Sequence, residues 1–551
     1  MRFIFIVFIS VFTFSLNGQD YFAGFEFDSA DTLRGKLNPQ RTCYDVTFYD
    51  LFINLNPSEK FIEGKNTIYF EATEDFTFLQ VDLFEEMEVK EILYEGQAIP
   101  FVRKHQALIV EFPEIRKGTK GHFQITYQGH PIVAARAPWD GGFVFSKDSN
   151  GKDWIGVACE GTGASLWWPN KDHLSDEPDS MRFTMVVPKG LMAVGNGNLI
   201  KKAAYNDEKD LFEWFISYPI NNYNVSLNVA DYAHFSDTYT ALDGEQLACD
   251  YYVLKENLSK ATKHFEQVPG VLKAFEHYFG KYPFWKDGYA LIETPYLGME
   301  HQSGIAYGNK YMRGYMGGMI PRDMDWDYII VHETGHEYWG NSVSSNDHAE
   351  MWIHESFTTY MEALYVEYHY GLERAIAYLN SQRKYIQNKL PVLGPLDVNF
   401  DKFGSSDHYY KGAWILHTLR NDINDDELWF RILKSLHEDH KITNVTTEDI
   451  VQFISKKSGK DYHAFFEQYL KHPKPPTLIY RIEEYKNKCR LAYKWDADVG
   501  NFNMSVIIGE GKKRTRIFPE SEWQSISMKG MDKNNVNFRT DLFYIVTKKI
   551  E

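Results

Sequence analysis

The chain has 551 residues, too many for one hydrophobic core, so two to four domains are expected. Hydrophobic residues make up 44% and aromatics 16%, a composition that excludes an intrinsically disordered chain. Lys and Arg number 59 against 76 Asp and Glu. The formal charge of −17 argues against nucleic acid and anionic membrane surfaces as partners, because both require clustered cations; an acidic field instead favours cationic ligands.

Residues 1–18 read as a secretory signal peptide. Arg2 precedes the apolar run IFIVFISVFTF (4–14), and the small residue Gly18 precedes Gln19. Export to a periplasm or to the medium is therefore expected. No later stretch reaches the roughly 18 apolar residues that a membrane span needs, so no stable membrane insertion is expected once the signal is cleaved. Cys43, Cys159, Cys249 and Cys489 show neither a CxxC metal pattern nor a dense disulfide framework; one or two disulfides are allowed, with no pairing implied. Asn224, Asn257, Asn444 and Asn503 open NxS/T sequons, which matter only in a host that glycosylates.

From 19 to 235 the pattern is that of strands. DVTFYDLFINL, KNTIYFEAT, FTFLQVDL, ALIVEF, GHFQITYQG and SMRFTMVVP alternate apolar and polar residues between turn signals, which predicts a large antiparallel β saddle or sandwich. From 236 to 472 helical periodicity takes over. LSKATKHFEQVPGVLKAFEHYFG is interrupted at Pro269; MDWDYIIVHETGHEYWG, EMWIHESFTTYMEALYVEYHYG and YYKGAWILHTLRNDI carry apolar faces. TTEDIVQFISKKSG opens on a Thr cap and ends at Gly. After the Pro-rich KHPKPPTLIY boundary, residues 473–551 again look like strands and predict a small β-sandwich. The fold class is thus multidomain α+β, a β domain followed by a mostly helical one and a smaller β domain.

Chemistry concentrates in the helical part. In HETGH (332–336), His332 and His336 are four apart and share one helix face, so both imidazoles can meet one zinc ion. Glu333 lies beside them with a carboxylate able to reach a metal-activated water. Glu355 follows after 18 intervening residues, on the next predicted helix, and completes a His₂Glu set with an open position. His348, His354 and His408 are nearby alternative ligands, and Glu350 is a candidate for the carboxylate that orients a ligating histidine.

HETGHEYWGN followed by EMWIHESFTTYME resembles the zinc-binding region of the gluzincin aminopeptidases, peptidase family M1; Trp352, Glu355, Phe357, Thr358 and Tyr360 all fit that pattern. YLGMEHQSG (296–304) resembles the exopeptidase motif GxMEN, with Met299 and Glu300 matching, Leu297 in place of the first Gly and His301 in place of Asn. YYKGA (409–413) resembles the segment that places a transition-state-stabilising tyrosine, here Tyr409, with Tyr410 assigned to packing. VACEGTGASLWWPNKDHLSDEP (157–178) is a weaker match to the β-domain segment, with Glu160 as its acidic residue and Ala158 in place of the usual Gln.

The resemblance implies a thermolysin-like catalytic domain and a Zn²⁺-dependent aminopeptidase acting on peptides with a free N-terminus. His332, His336 and Glu355 would hold one zinc per chain. Glu333 would be the general base for a metal-activated water, and Tyr409 would stabilise the oxyanion. Gly298, Met299, Glu300 and Glu160 would bind substrate, the two carboxylates facing its α-ammonium. His301, if protonated, would oppose that ammonium. A gluzincin endopeptidase, a relative with a second activity and a noncatalytic peptide-binding protein are the competing readings. About 75 residues follow the catalytic helices, too few for the helical domain that covers the active site in larger relatives, which predicts a zinc cleft open on its C-terminal side.

Overall fold

A computed structural model describes residues 21–485, 488–511, 514–528 and 536–551. The predicted signal peptide lies outside them.

The first strand shows why the N-terminal part folds as it does. Tyr44–Asn56 buries Tyr44, Val46, Tyr49, Leu51, Ile53 and Leu55, and that alternation commits one face of the strand to a core. It pairs antiparallel with Phe61–Ala72. Its other neighbour is Ser180–Pro188, and that pairing is parallel, from Phe48 opposite Ser180 to Asn54 opposite Val186. The expected antiparallel sheet is therefore mixed at its centre. More than 100 residues separate the two strands, ample length for the crossover that parallel pairing requires. The sheet has eight strands; a four-stranded and a three-stranded sheet complete this β region. Trp167, Trp168, Phe183 and Tyr49 fill the space between them.

One buried ion pair anchors the loop that carries Glu160. Arg41 and Asp82 are both fully buried and joined by a charge-assisted hydrogen bond. Arg41 also donates to Arg34 O (2.5 Å) and Asp172 O (3.3 Å); Asp82 accepts from Gln80 Nε2 (2.8 Å) and from the backbone of Asp172 (3.0 Å). Asp172 in turn accepts from the backbone of Ser165 (3.0 Å). The loop after Ala158 is thus tied to the sheet at several points.

The catalytic part opens on a mixed five-stranded sheet in the order Tyr232–Thr240, Gln246–Leu254, Tyr289–Glu293, Ile305–Tyr307, Gly298–Met299. The two-residue strand Gly298–Met299 lies at its edge. Helices Tyr328–His336, Trp352–Tyr370, Leu372–Gln382, Asp407–Ile423, Asp426–His440, Thr447–Ser458 and His463–Lys471 follow. Pro269 sits in the first turn of Val268–Phe279, where its missing N–H costs nothing, and the preceding helix ends at His264. Thr446 and Asp449 form a capping box, and Gly459 ends that helix at φ +75°.

The C-terminal strands form a four-stranded sheet and a two-stranded ribbon. Leu478, Leu491, Trp495, Phe543 and Tyr544 join the same buried apolar cluster as the catalytic helices. Tyr544 N donates to Thr418 Oγ1 (2.8 Å), and Tyr469 OH donates to Tyr544 O (2.8 Å). These strands therefore buttress the helix Asp407–Ile423. All four cysteines are free and buried, so no disulfide forms among them. Asn224 is fully buried and hydrogen-bonded, so its sequon is closed in the folded chain.

Replacing Arg41 by Ala leaves Asp82 as an unpaired buried carboxylate and should cost about 3–5 kcal/mol of N-terminal stability. Thermal unfolding followed by tryptophan fluorescence measures it; an unchanged midpoint contradicts this account of the anchor.

Candidate active site

The helix Tyr328–His336 is buried along its whole length. Asp327 caps it, accepting from Ile329 N (2.9 Å) and Ile330 N (3.3 Å); Tyr307 OH (2.8 Å), Asn309 Nδ2 (2.8 Å) and the His264 ring (2.7 Å) hold that carboxylate. A Cβ on Gly335 would come within 3.0 Å of Thr358 Cγ2, so glycine lets the helix Trp352–Tyr370 pack closely. That packing brings Glu355 to the two histidines.

His332 Nε2 and His336 Nε2 lie 3.2 Å apart, and Glu355 Oε2 lies 3.5 and 3.4 Å from them. All three side chains are buried. Glu355 Oε2 has no hydrogen-bond partner. Two imidazole nitrogens and an unpartnered carboxylate oxygen converging on one point fit a zinc ion with an open coordination position. The outer nitrogens are committed elsewhere: His332 Nδ1 to Glu362 Oε1 (2.7 Å), His336 Nδ1 to Trp339 O (3.0 Å).

Glu362 thus occupies the position expected of Glu350. It also accepts from Tyr378 OH (2.5 Å) and Gln382 Nε2 (3.1 Å). Glu350 instead accepts from Thr447 N (2.6 Å) at the start of Thr447–Ser458 and touches neither histidine. The signal for Glu362 was present, since it follows Glu355 by seven residues and so shares its helix face. None of the alternative ligands joins the cluster, although His348 and His408 line the cleft. His354 Nε2 accepts from Ser345 N (2.9 Å), His408 packs on Phe403, and burial drives the His348 imidazole down to about 4.

The charge balance is strongly negative. Glu160, Glu300, Glu333, Glu355 and Asp401 line the cleft, and no Lys or Arg does so among the described residues. Burial pushes the Glu333 carboxyl up to about 8, with Glu300 adding to the shift and the two histidines opposing it. Burial and then the charge of Glu300 hold the Glu160 carboxyl well above its ordinary range, and Glu160 Oε1 has no hydrogen-bond partner. Burial lowers the His332 and His336 imidazoles, but neighbouring carboxylates reverse this, and His336 reaches about 9.

Gly298 and Met299 form the edge strand of the sheet, antiparallel to Ile305–Tyr307; both are buried and line the cleft. A Cβ on Gly298 would lie 2.6 Å from Glu333 Oε1, so this position requires glycine. Leu297 also lines the cleft. His301 does not oppose a bound cation: it is fully buried, burial lowers its imidazole to about 3, and it stays neutral. The Tyr409 ring stacks 6.0 Å from His332 and lines the cleft; burial and then the charge of Glu355 push its hydroxyl well above its ordinary range. Tyr410 packs against Tyr385, as expected, yet it also lines the cleft.

The cleft measures about 490 Å³. Pro138, Trp139 and residues 160–162 form one wall, Tyr315, Met319 and Ile329 another, Phe400 and Phe403 a third. No described residue beyond Tyr410 lines it, so the C-terminal strands leave it uncovered.

Residues 263–469 match the peptidase family M1 domain. Aminopeptidase N of Escherichia coli is 22% identical over 323 residues, covering 55% of this chain and 37% of that protein. Probable aminopeptidase 1 of Saccharolobus solfataricus is 20% identical over 462 residues, covering 82% and 56%. The chain thus spans about half the length, or less, of these two curated relatives. An M1 zinc metallopeptidase from Deinococcus radiodurans superposes with a TM-score of 0.65 at 19% identity, covering 78% of this chain and 94% of that one. The similarity to peptidase family M1 thus lies in residues 263–469.

Glu362→Gln keeps the side chain's shape and removes the charge behind His332. It should weaken zinc binding about 10–100-fold, read by competition with a chromogenic chelator. An unchanged affinity would remove Glu362 from the site.

Proposed function

We propose that this protein is a zinc-dependent aminopeptidase that releases the N-terminal residue of peptides. The observation that carries the reading is the buried Glu160–Glu300 pair beside the His332, His336 and Glu355 cluster. Two carboxylates with no Lys or Arg beside them in the cleft suit a cation, and a substrate α-ammonium would supply it one residue from the scissile bond. The assignment of Zn²⁺ agrees with the family and with the ligand set.

Zinc held by His332, His336 and Glu355 would supply Lewis acidity to the attacking water and the scissile carbonyl. The chain's own groups do the rest. Glu333, its carboxyl raised by burial, takes a proton from the water and returns it to the leaving amine. Tyr409 donates its hydroxyl hydrogen to the developing oxyanion. The edge strand Gly298–Met299 offers backbone groups to an extended peptide, as an added strand would use them. Glu160 and Glu300 hold the ammonium and thereby measure one residue from the chain end. The Deinococcus protein bound to a Tyr-Ser-Ala substrate, and a two-domain M1 zinc metallopeptidase bound to L-tryptophan, support this reading.

Aminoacyl-coumarin hydrolysis with metal content measured on the same preparation tests the reading. Fluorophore release should be abolished by chelation and restored by zinc. Glu333→Gln should lower kcat by about 10²–10⁴-fold with zinc retained. Tyr409→Phe should lower it by about 10²–10³-fold. Cleavage only of N-terminally blocked peptides would replace this reading with an endopeptidase, and bound zinc with no turnover would indicate a noncatalytic binder. Export by the 1–18 segment is part of the proposal; mass spectrometry of the secreted or periplasmic protein should find Gln19 at its N-terminus.

A further inference from the structure

Glu300 is the one member of the amine-reading pair that another side chain holds in place. Tyr223 OH donates to Glu300 Oε1 at 3.1 Å. Tyr223 is buried, and neither it nor its neighbours in the turn Asn222–Asn224 line the cleft. The same turn is wired to the segment around Glu300 by two further bridges. Asn224 Nδ2 donates to Asn341 Oδ1 (2.8 Å), and Asn341 Nδ2 donates to the backbone oxygen of Glu300 (2.7 Å). Asn196 Nδ2 bridges Asn224 O (2.9 Å) and Gln302 O (2.7 Å). On its other side the turn meets the strand that leads to Glu160, since Cys159 Sγ donates weakly to Tyr223 O (3.6 Å).

These contacts do two separate things. The asparagine links fix the backbone of Glu300. The tyrosine hydroxyl fixes its carboxylate, occupying one oxygen and leaving the other for Glu160 or for a cation between the two. A glutamate side chain has free torsions, and two buried carboxylates repel when both are ionised, so Glu300 would otherwise turn away from Glu160. From this geometry we infer that Tyr223 is a positioning residue for substrate-amine recognition: it sets the Glu300 carboxylate at the spacing from Glu160 that an α-ammonium needs. It touches neither the metal cluster nor the reacting carbonyl. Its effect should therefore fall on binding of the amine and leave the chemistry at the carbonyl alone.

The inference rests on the aminopeptidase reading above. Tyr223→Phe in the full zinc-loaded chain tests it, because it removes one hydroxyl and keeps the ring. The probes are an aminoacyl-coumarin substrate and a matched pair of hydroxamates, an amino-acid hydroxamate and its des-amino analogue, which bind the metal through the same group. The KM should rise about tenfold, the loss expected of one hydrogen bond to an ionised partner, with kcat changed less than about threefold. The inhibition constant of the amino hydroxamate should rise about tenfold, and that of the des-amino analogue should stay within about twofold. In a Glu300→Ala background the same substitution should have no further effect on either inhibitor.

Equal losses for both hydroxamates would show general damage to the cleft and overturn the inference, as would an amino hydroxamate that binds Tyr223→Phe like the wild type. If the Phe variant fails to fold, Tyr223→His decides: its ring N–H must preserve the preference for the amine, and loss of that preference overturns the inference. Failure of the wild type to hydrolyse any free-amine substrate would instead remove the aminopeptidase reading itself. Wild-type hydrolysis with an indifferent Tyr223→Phe would sink only the role of Tyr223.

Discussion

Five buried or half-buried carboxylates gathered around the His332–His336 pair are the constraint on which the site depends. Glu160, Glu300, Glu333, Glu355 and Glu362 stand within a few residues' reach of His332 and His336. Such a grouping costs free energy unless cations enter it. Under the proposed function, a divalent ion at the histidines and an ammonium between Glu160 and Glu300 would satisfy it together, so the same electrostatic demand would link the metal site and the amine site.

Holding that charge in place requires both halves of the molecule. Glu160 comes from the N-terminal β region, and its loop is tied down through Asp172, Asp82 and the buried Arg41. Glu300 comes from the edge strand of the catalytic sheet, and Tyr223 and Asn341 reach it from opposite sides of the junction. The C-terminal strands act at a distance. They pack on the helix that carries Tyr409 and leave the cleft itself uncovered.

The residues of the 297–301 segment, with its two departures Leu297 and His301, gain a physical meaning here. Gly298 sits against Glu333 so closely that a methyl group would collide with the carboxylate. His301, which looked able to repel a substrate amine, is sealed from water and held neutral. Leu297 remains as the departure with access to substrate, since it lines the cleft.

The zinc ligands were legible because their signal is local: an i, i+4 pair on one helix, and a third ligand on the next. Alternation in Tyr44–Asn56, Pro269 and the Thr446 cap were legible for the same reason, since strand and helix periods and capping residues act within a few positions. Glu362 and Glu350 show the limit. Both are acidic residues near Glu355, and only the helix rotation against Tyr328–His336 decides which one meets a histidine. The parallel pairing of Tyr44–Asn56 with Ser180–Pro188, the neutrality of His301 and the hold of Tyr223 on Glu300 arise from contacts between segments tens to more than a hundred residues apart. Residue identity and short-range spacing therefore determined the chemistry this chain carries. Burial and long-range packing, which set charge states and the distances between carboxylates, were decided only by the tertiary structure.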